Sequence, residues 1–248
     1  MNRYYYQPVK KTLLHVQPIF YVRILGLLLF IFGISIVAYV FTPLIIWQFT
    51  LAPEFASEQI TAPIPNRSVL TPSVIQSLIA SSIQSLSGTD YTDASNWFPG
   101  YTMPKGAVSV PSYFLTIPKL GITNAFVSTT DTNLANHLVS LAGTPLPPNK
   151  GNTVIFGHST LPQLFDPKNY KTIFADAYKL QVGDTFTTTV NNVIYTYKIF
   201  SITVVNPDDT SVLAQTYDDS YVTLITCTPP GTIWERLIIK ARLQKLGA

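Results

Sequence analysis

The chain is poor in the residues that announce a chemistry. Only one of its 248 residues is cysteine, so no disulfide can form within it and the cysteine sets of zinc sites are excluded. Histidine occurs three times, at His15, His137 and His158, and none has metal-ligand spacing to another ligand. No glycine-rich loop of the phosphate-cradling kind is present. Charged residues make up 12% of the chain, and a net charge of +3 concentrated near the N-terminus gives no case for nucleic-acid binding. Hydrophobic residues at 47%, with so little charge, point to contact with lipid.

The lipid-facing stretch is easily located. No charged residue occurs from Ile24 to Pro53, and 24–47 as a helix is long enough to cross a hydrocarbon core of about 30 Å. Arg3, Lys10, Lys11 and Arg23 precede it, and the first acidic residue is Glu54. By the positive-inside rule, residues 1–23 stay in the cytoplasm and the bulk of the chain lies outside. Tyr21 and Trp47 suit the two interfaces, and Pro43 near the outer end is tolerated in a spanning helix. A cleaved signal peptide is the competing reading. The apolar region is too long for it, and no small-residue cleavage site follows.

Residues 48–102 read as an extracytoplasmic linker, with Pro53, Pro63 and Pro65 among small polar residues. Within it, Val74, Ile75, Leu78, Ile79 and Ile83 have helical spacing, which predicts an amphipathic helix over 72–86. Residues 88–106 look irregular, with an exposed Trp97-Phe98-Pro99. From 103 onward, apolar or alternating runs at about 113–117, 124–128, 153–158, 185–190, 193–205, 221–227 and 233–243 are separated by turn residues. That pattern predicts an all-β barrel or sandwich over 103–248. Residues 131–141 and 169–180 are the places for short helices, and Asn191-Asn192 reads as a hairpin turn.

The single thiol ends one of these strands. Tyr221, Thr223, Ile225 and Cys227 alternate with Val222, Leu224 and Thr226, and the following Thr228-Pro229-Pro230-Gly231-Thr232 cannot continue a ladder. If the next run pairs back as a hairpin, Cys227 looks across to Arg236, whose fixed cation orients a carbonyl or favours the thiolate. A buried strand cysteine with a solvated arginine is the plain alternative. A base completes the chemistry. His158 ends the run Thr153-Val154-Ile155-Phe156-Gly157, and Gly157 would let a substrate backbone approach; His137 stays open as the second candidate.

Three segments carry a resemblance. Thr223-Leu224-Ile225-Thr226-Cys227 resembles the TLxTC signature of sortases, and the Trp-Glu-Arg at 234–236 follows it after a loop. Residues 151–158 resemble the segment that delivers the sortase histidine, and residues 114–122 resemble the first strand of that domain. The order histidine, cysteine, arginine is the family's. The resemblance implies an eight-stranded barrel and a catalytic set of His158, Cys227 and Arg236. It also implies a thioester mechanism with a C-terminal LPXTG-like sorting signal as substrate and an amine of a peptidoglycan precursor or a protein lysine as acceptor.

His137, Val204, Val205, Ile225, Thr226 and Trp234 are the candidates for substrate contact. No cofactor is implied. Calcium, bound by some sortases near the loop that here holds Asp208-Asp209 and Asp218-Asp219, needs about six to eight oxygen ligands that no motif specifies. The lid of some pilus-building sortases carries an Asp-Pro-aromatic motif that is absent, so no lid is expected. With no second span after Arg242 and no room for a long helix between Phe200 and Tyr221, a class A-, D- or E-like member is expected rather than class C or B.

Rival classes fit less well. In papain-like hydrolases the cysteine precedes the histidine, and in L,D-transpeptidases the two share one motif. The remaining alternative is a membrane-anchored β-domain for surface binding or scaffolding, with Cys227 a core residue.

Overall fold

The computed structural model describes residues 18–46, 89–99, 101 and 110–244. The predicted amphipathic helix at 72–86, most of the linker and the expected domain start at 103 lie outside the described residues. The chain divides into two units, one N-terminal and one holding everything from residue 43 onward. In the first, helix α1 runs over Pro18–Ile46. Its apolar, exposed stretch Tyr21–Thr42 has 22 residues, about 33 Å of helix at 1.5 Å per residue, long enough to cross a bilayer. The helix starts six residues before the expected 24 and takes in Arg23, the one cation within the stretch.

The second unit is a closed eight-stranded barrel. Its strands are β1 (Ser112–Ile117), β2 (Ile122–Ser128), β3 (Leu138–Ser140), β4 (Gly151–Phe156), β5 (Thr185–Val190), β6 (Val193–Val205), β7 (Ser220–Thr228) and β8 (Glu235–Leu243). They pair around the barrel in the order β1-β2-β3-β4-β7-β8-β6-β5. β2 with β3 and β4 with β7 are parallel, and the pairs β1–β2, β1–β5, β3–β4, β5–β6, β6–β8 and β7–β8 are antiparallel. The β5–β6 turn at Asn191-Asn192 has φ of 49° and 63°, the left-handed conformation that a two-residue hairpin demands and asparagine tolerates.

β3 is a correction to the sequence reading, which placed a helix at 131–141. Asp131 and Asn133 side chains accept the backbone N–H groups of Asn133 and Ala135, which competes with helix formation. The freed chain adds the short strand that closes the barrel. The expected helix at 169–180 is likewise only turns ending in a 3₁₀ turn at Ala177–Lys179. The β6–β7 connection contains a single 3₁₀ turn, Thr210–Leu213, and no long helix.

Strand alternation divides the buried side chains between two clusters. Leu115, Ile117, Val127, Val222, Leu224 and Ile239 fill the barrel interior. Val154, Phe156, Ile225, Cys227 and Ile238, on the outer face of β4, β7 and β8, form a second cluster roofed by Trp97, Phe98, Leu134 and Leu213. A surface that would otherwise be solvated is thereby buried. Tyr91, Ala94, Trp97, Phe98 and Tyr101, within the stretch read as linker, pack in this outer cluster.

Gly157 follows β4 and packs against side chains of the barrel interior, Phe174 and Leu138. A Cβ there would stand 2.5 Å from Cδ2 of Phe174 and 2.7 Å from Cδ2 of Leu138, so the space is taken by core side chains and not reserved for a substrate backbone. Gly157→Ala is expected to destabilise the domain by about 1–3 kcal/mol through overpacking, read as a lower Tm of the full chain in detergent.

Candidate active site

Three strand ends converge on the second cluster. β7 lies between β4 and β8, and in the β7–β8 register Cys227 is directly opposite Arg236. The carbonyls of Ile225 and Cys227 both point to the β4 side, accepting from the Gly157 N–H and the Ser159 hydroxyl. Cys227 and Arg236 therefore form a non-hydrogen-bonded antiparallel pair, the kind whose Cα atoms come within about 4.5 Å and whose side chains lie closest. His158 follows the last residue pair of β4 with β7, Phe156 and Ile225, and its carbonyl accepts from the Phe174 N–H at 2.9 Å.

Arg236 is 1% exposed, which corrects the picture of a solvated arginine. Its Nη1 donates to the carbonyls of Ile233 and Glu235 at 3.0 and 3.1 Å, and its Nη2 to the carbonyl of Trp97 at 3.1 Å. Nε has no partner. A buried guanidinium held by carbonyl oxygens is rigid, and its cation is little screened. It opposes the burial of Cys227, but burial is the larger effect and raises the thiol above its ordinary value. Burial also lowers the His158 imidazole, partly offset by the charge of Asp90. At neutral pH the pair is thiol and neutral imidazole.

Trp97 is the residue that sequence reasoning misplaced. Far from exposed, it has no accessible surface. Its ring lies 5.8 Å from the His158 ring, 5.6 Å from Phe156 and 5.4 Å from the Arg236 guanidinium carbon. Contact with a cation and packing among aromatic rings are both favourable for indole. Its Nε1 donates to the Tyr91 carbonyl at 2.9 Å.

The strap that carries it is secured locally and to the barrel. Asp93 caps the 3₁₀ turn Ala94–Trp97 by accepting the Ser95 N–H, and the Ala94 and Leu134 N–H groups donate to the Thr132 and Thr92 carbonyls. A cover over the site thus exists without the Asp-Pro-aromatic motif. The signal in the sequence was Tyr91, Trp97 and Phe98 crowded into a short stretch, too much aromatic surface for a linker.

The proposed substrate contacts separate. Val205 lies in register with Arg236 and packs on the outer cluster, Ile225 is wholly buried in it, and Trp234 is 65% exposed two residues before Arg236. Val204 and Thr226 alternate to the other face: Val204 packs on the barrel interior, and the Thr226 hydroxyl donates to the Gly157 carbonyl at 2.7 Å. Strand periodicity turns these two toward the barrel interior, opposite to the face of Cys227. His137 is engaged elsewhere, with its Nε2 3.1 Å from Asp131 and its ring against Phe126.

The acidic pairs also have protein partners. Asp209 accepts from the Ser211 N–H, Asp218 from the Tyr221 hydroxyl, and Asp219 pairs with Arg242 at 2.6 Å. No group of three metal-ligating side chains occurs among the described residues.

The closed β-barrel sets a thiol and a guanidinium opposite each other on adjacent strands, with an imidazole just past the end of a third. A sequence model of the Sortase domain matches residues 115–244, more than half of the chain, and the chain belongs to the sortase family. Sortase A of Streptococcus agalactiae is 43% identical over 54 residues, a match spanning only 22% of each chain. Among solved structures, sortase A of Corynebacterium diphtheriae is 26% identical with a TM-score of 0.50, covering 71% of this chain and 87% of its own. A sortase D5 transpeptidase of Clostridium perfringens is 32% identical with a TM-score of 0.46, covering 54% and 79%.

Two outcomes follow from the burial of the site. The rate of Cys227 alkylation by iodoacetamide is expected to keep rising above pH 9, since burial moves the thiolate to higher pH than the ordinary 9.0. Trp97→Ala is expected to raise that rate at pH 8 roughly tenfold, equivalent to one pKa unit of relieved burial. An unchanged rate would show that the indole does not limit the thiol.

Proposed function

We propose that this chain is a membrane-anchored cysteine transpeptidase that cleaves an LPXTG-like C-terminal sorting signal and transfers the acyl group to an amine of a cell-envelope acceptor. The observation that carries the reading is the register of Cys227 against Arg236 at the end of β7, with His158 at the end of the neighbouring strand.

In this mechanism the Cys227 sulfur attacks the scissile carbonyl, and His158 takes the thiol proton and gives it to the leaving amine. The thioester that results is opened by the incoming amine, which passes its proton to His158. A neutral imidazole is the form that can accept the first proton, and burial keeps His158 in that form through neutral pH. Arg236 stabilises the oxyanion and orients the substrate. Its Nη2 already holds a peptide carbonyl, that of Trp97, which supports a role in gripping the backbone of a peptide substrate. Trp97 must therefore yield its place when substrate enters. Val205 and the exposed Trp234 are the substrate-facing residues on this reading.

The helix α1 holds the domain at the membrane with the N-terminus cytoplasmic and the barrel outside, in keeping with Arg3, Lys10, Lys11 and Arg23 on the near side. We place the start of the catalytic unit at or before residue 89, because the Trp97 strap packs on it.

The test is the full chain in detergent with a fluorogenic LPXTG-type peptide, with and without an added amine. Cleavage abolished by Cys227→Ala, with product captured on the amine, is the expected result; equal inertness of wild type and variant would return the chain to the scaffolding alternative. Arg236→Ala is expected to lower kcat by about 10²–10³-fold, the usual cost of losing an oxyanion donor. The acid limb of kcat/KM is expected below pH 6.5, because the lowered His158 stays neutral until the pH falls beneath its ordinary value.

A further inference from the structure

Two hydroxyl groups straddle the junction between the histidine and the cysteine. The β4–β7 ladder has its last residue pair at Phe156 and Ile225, and its final backbone bond runs from the Gly157 N–H to the Ile225 carbonyl. Beyond that point the chain carrying His158 has left the sheet. Side chains take over the pairing there: the Thr226 hydroxyl donates to the Gly157 carbonyl at 2.7 Å, and the Ser159 hydroxyl donates to the Cys227 carbonyl at 2.6 Å.

The arrangement is reciprocal. Thr226 and Gly157 immediately precede Cys227 and His158, while Ser159 follows His158 and bonds to the backbone of Cys227 itself. Each reacting residue is therefore held between two cross-strand hydrogen bonds. We propose that Ser159 is a positioning residue for the reaction, and that with Thr226 it forms a clamp that sets the approach of the His158 imidazole to the Cys227 thiol. The proposal rests on the transpeptidase reading above.

The physical argument is one of geometry. A residue just past the end of a ladder has no backbone bond to its neighbour strand, so its position is set by what its side chain and adjacent residues contact. The Phe174 N–H holds the His158 carbonyl from a different segment and leaves the spacing to β7 open. The Cys227 carbonyl lies beside a buried thiol, and the Ser159 hydroxyl is the donor that meets it. Removing that hydroxyl frees the two strand ends to separate. Misplacement of a catalytic group by about 1 Å costs on the order of 10²-fold in rate. The effect falls on kcat, because both hydroxyls are engaged by backbone carbonyls of this junction and not left to bind substrate.

The experiment compares Ser159→Thr, which keeps the hydroxyl, with Ser159→Val, which has the same branched shape without it. Both are made in the full chain in detergent and assayed with the sorting-signal peptide and amine, with Tm measured alongside. The clamp predicts that Ser159→Val lowers kcat about 10–100-fold with KM within about twofold of wild type. Ser159→Thr should keep most of the wild-type kcat, and both variants should have similar Tm. A Ser159→Val enzyme with wild-type kcat, or a Ser159→Thr enzyme as impaired as Ser159→Val, would overturn the clamp while wild-type turnover upholds the transpeptidase. A Ser159→Val loss matched by an equal loss of folded protein, with normal kcat per folded molecule, would also overturn it. Wild-type turnover no greater than that of Cys227→Ala would overturn the transpeptidase reading and the clamp together.

Discussion

The active arrangement depends on the two ladders that β7 makes at once. Its parallel pairing with β4 delivers His158 to one flank, and its antiparallel pairing with β8 delivers Arg236 to the other. Because strand neighbours are spaced about 4.8 Å apart, the two ladders bring the ends of β4, β7 and β8 side by side, and the segment carrying His158 continues from the end of β4. Backbone hydrogen bonds of the barrel set Cys227 against Arg236, and side-chain hydroxyls tie the His158 segment to the end of β7.

The same sheet has two apolar faces, and that constraint shapes the electrostatics. A strand whose alternate residues are both apolar must be covered on both sides. The barrel interior takes one set, and Tyr91, Ala94, Trp97, Phe98 and Tyr101 with the loops around Leu134 and Leu213 cover the other. The cover buries Cys227 and Arg236 and half-buries His158 in an environment where an unpaired charge is costly, which pushes the thiol up and the imidazole down. Arg236 stays charged in that setting through carbonyl oxygens and the face of Trp97. A strap that neutralises the guanidinium's isolation with its own carbonyl is chemically close to a peptide substrate, and this gives the cover a direct bearing on substrate entry.

Much of the barrel was legible because period-2 alternation is a local property. The runs at 185–190 and 193–205 coincide with β5 and β6, and the Asn191-Asn192 turn is where backbone sterics require it. The eighth strand was not legible. β3 is three residues long, too short for a period to show, and its strand character comes from being gripped between β2 and β4. The face of Thr226 was legible in that alternation, opposite to Cys227, whereas the face of Val204 follows from its place in the β6–β8 ladder beside Val205 and Arg236.

The sequence by itself determined an N-terminal helix long and apolar enough to cross a membrane and a strand-rich barrel, and it singled out Cys227, His158 and Arg236 as candidates, since each rests on local composition or on a motif in a fixed order. Tertiary structure alone decided that Arg236 is buried, that Trp97 lies against it and against His158, and that Ser159 reaches the Cys227 carbonyl. Those contacts join residues 60 to 140 positions apart, and such pairings arise from barrel closure, which no local pattern encodes.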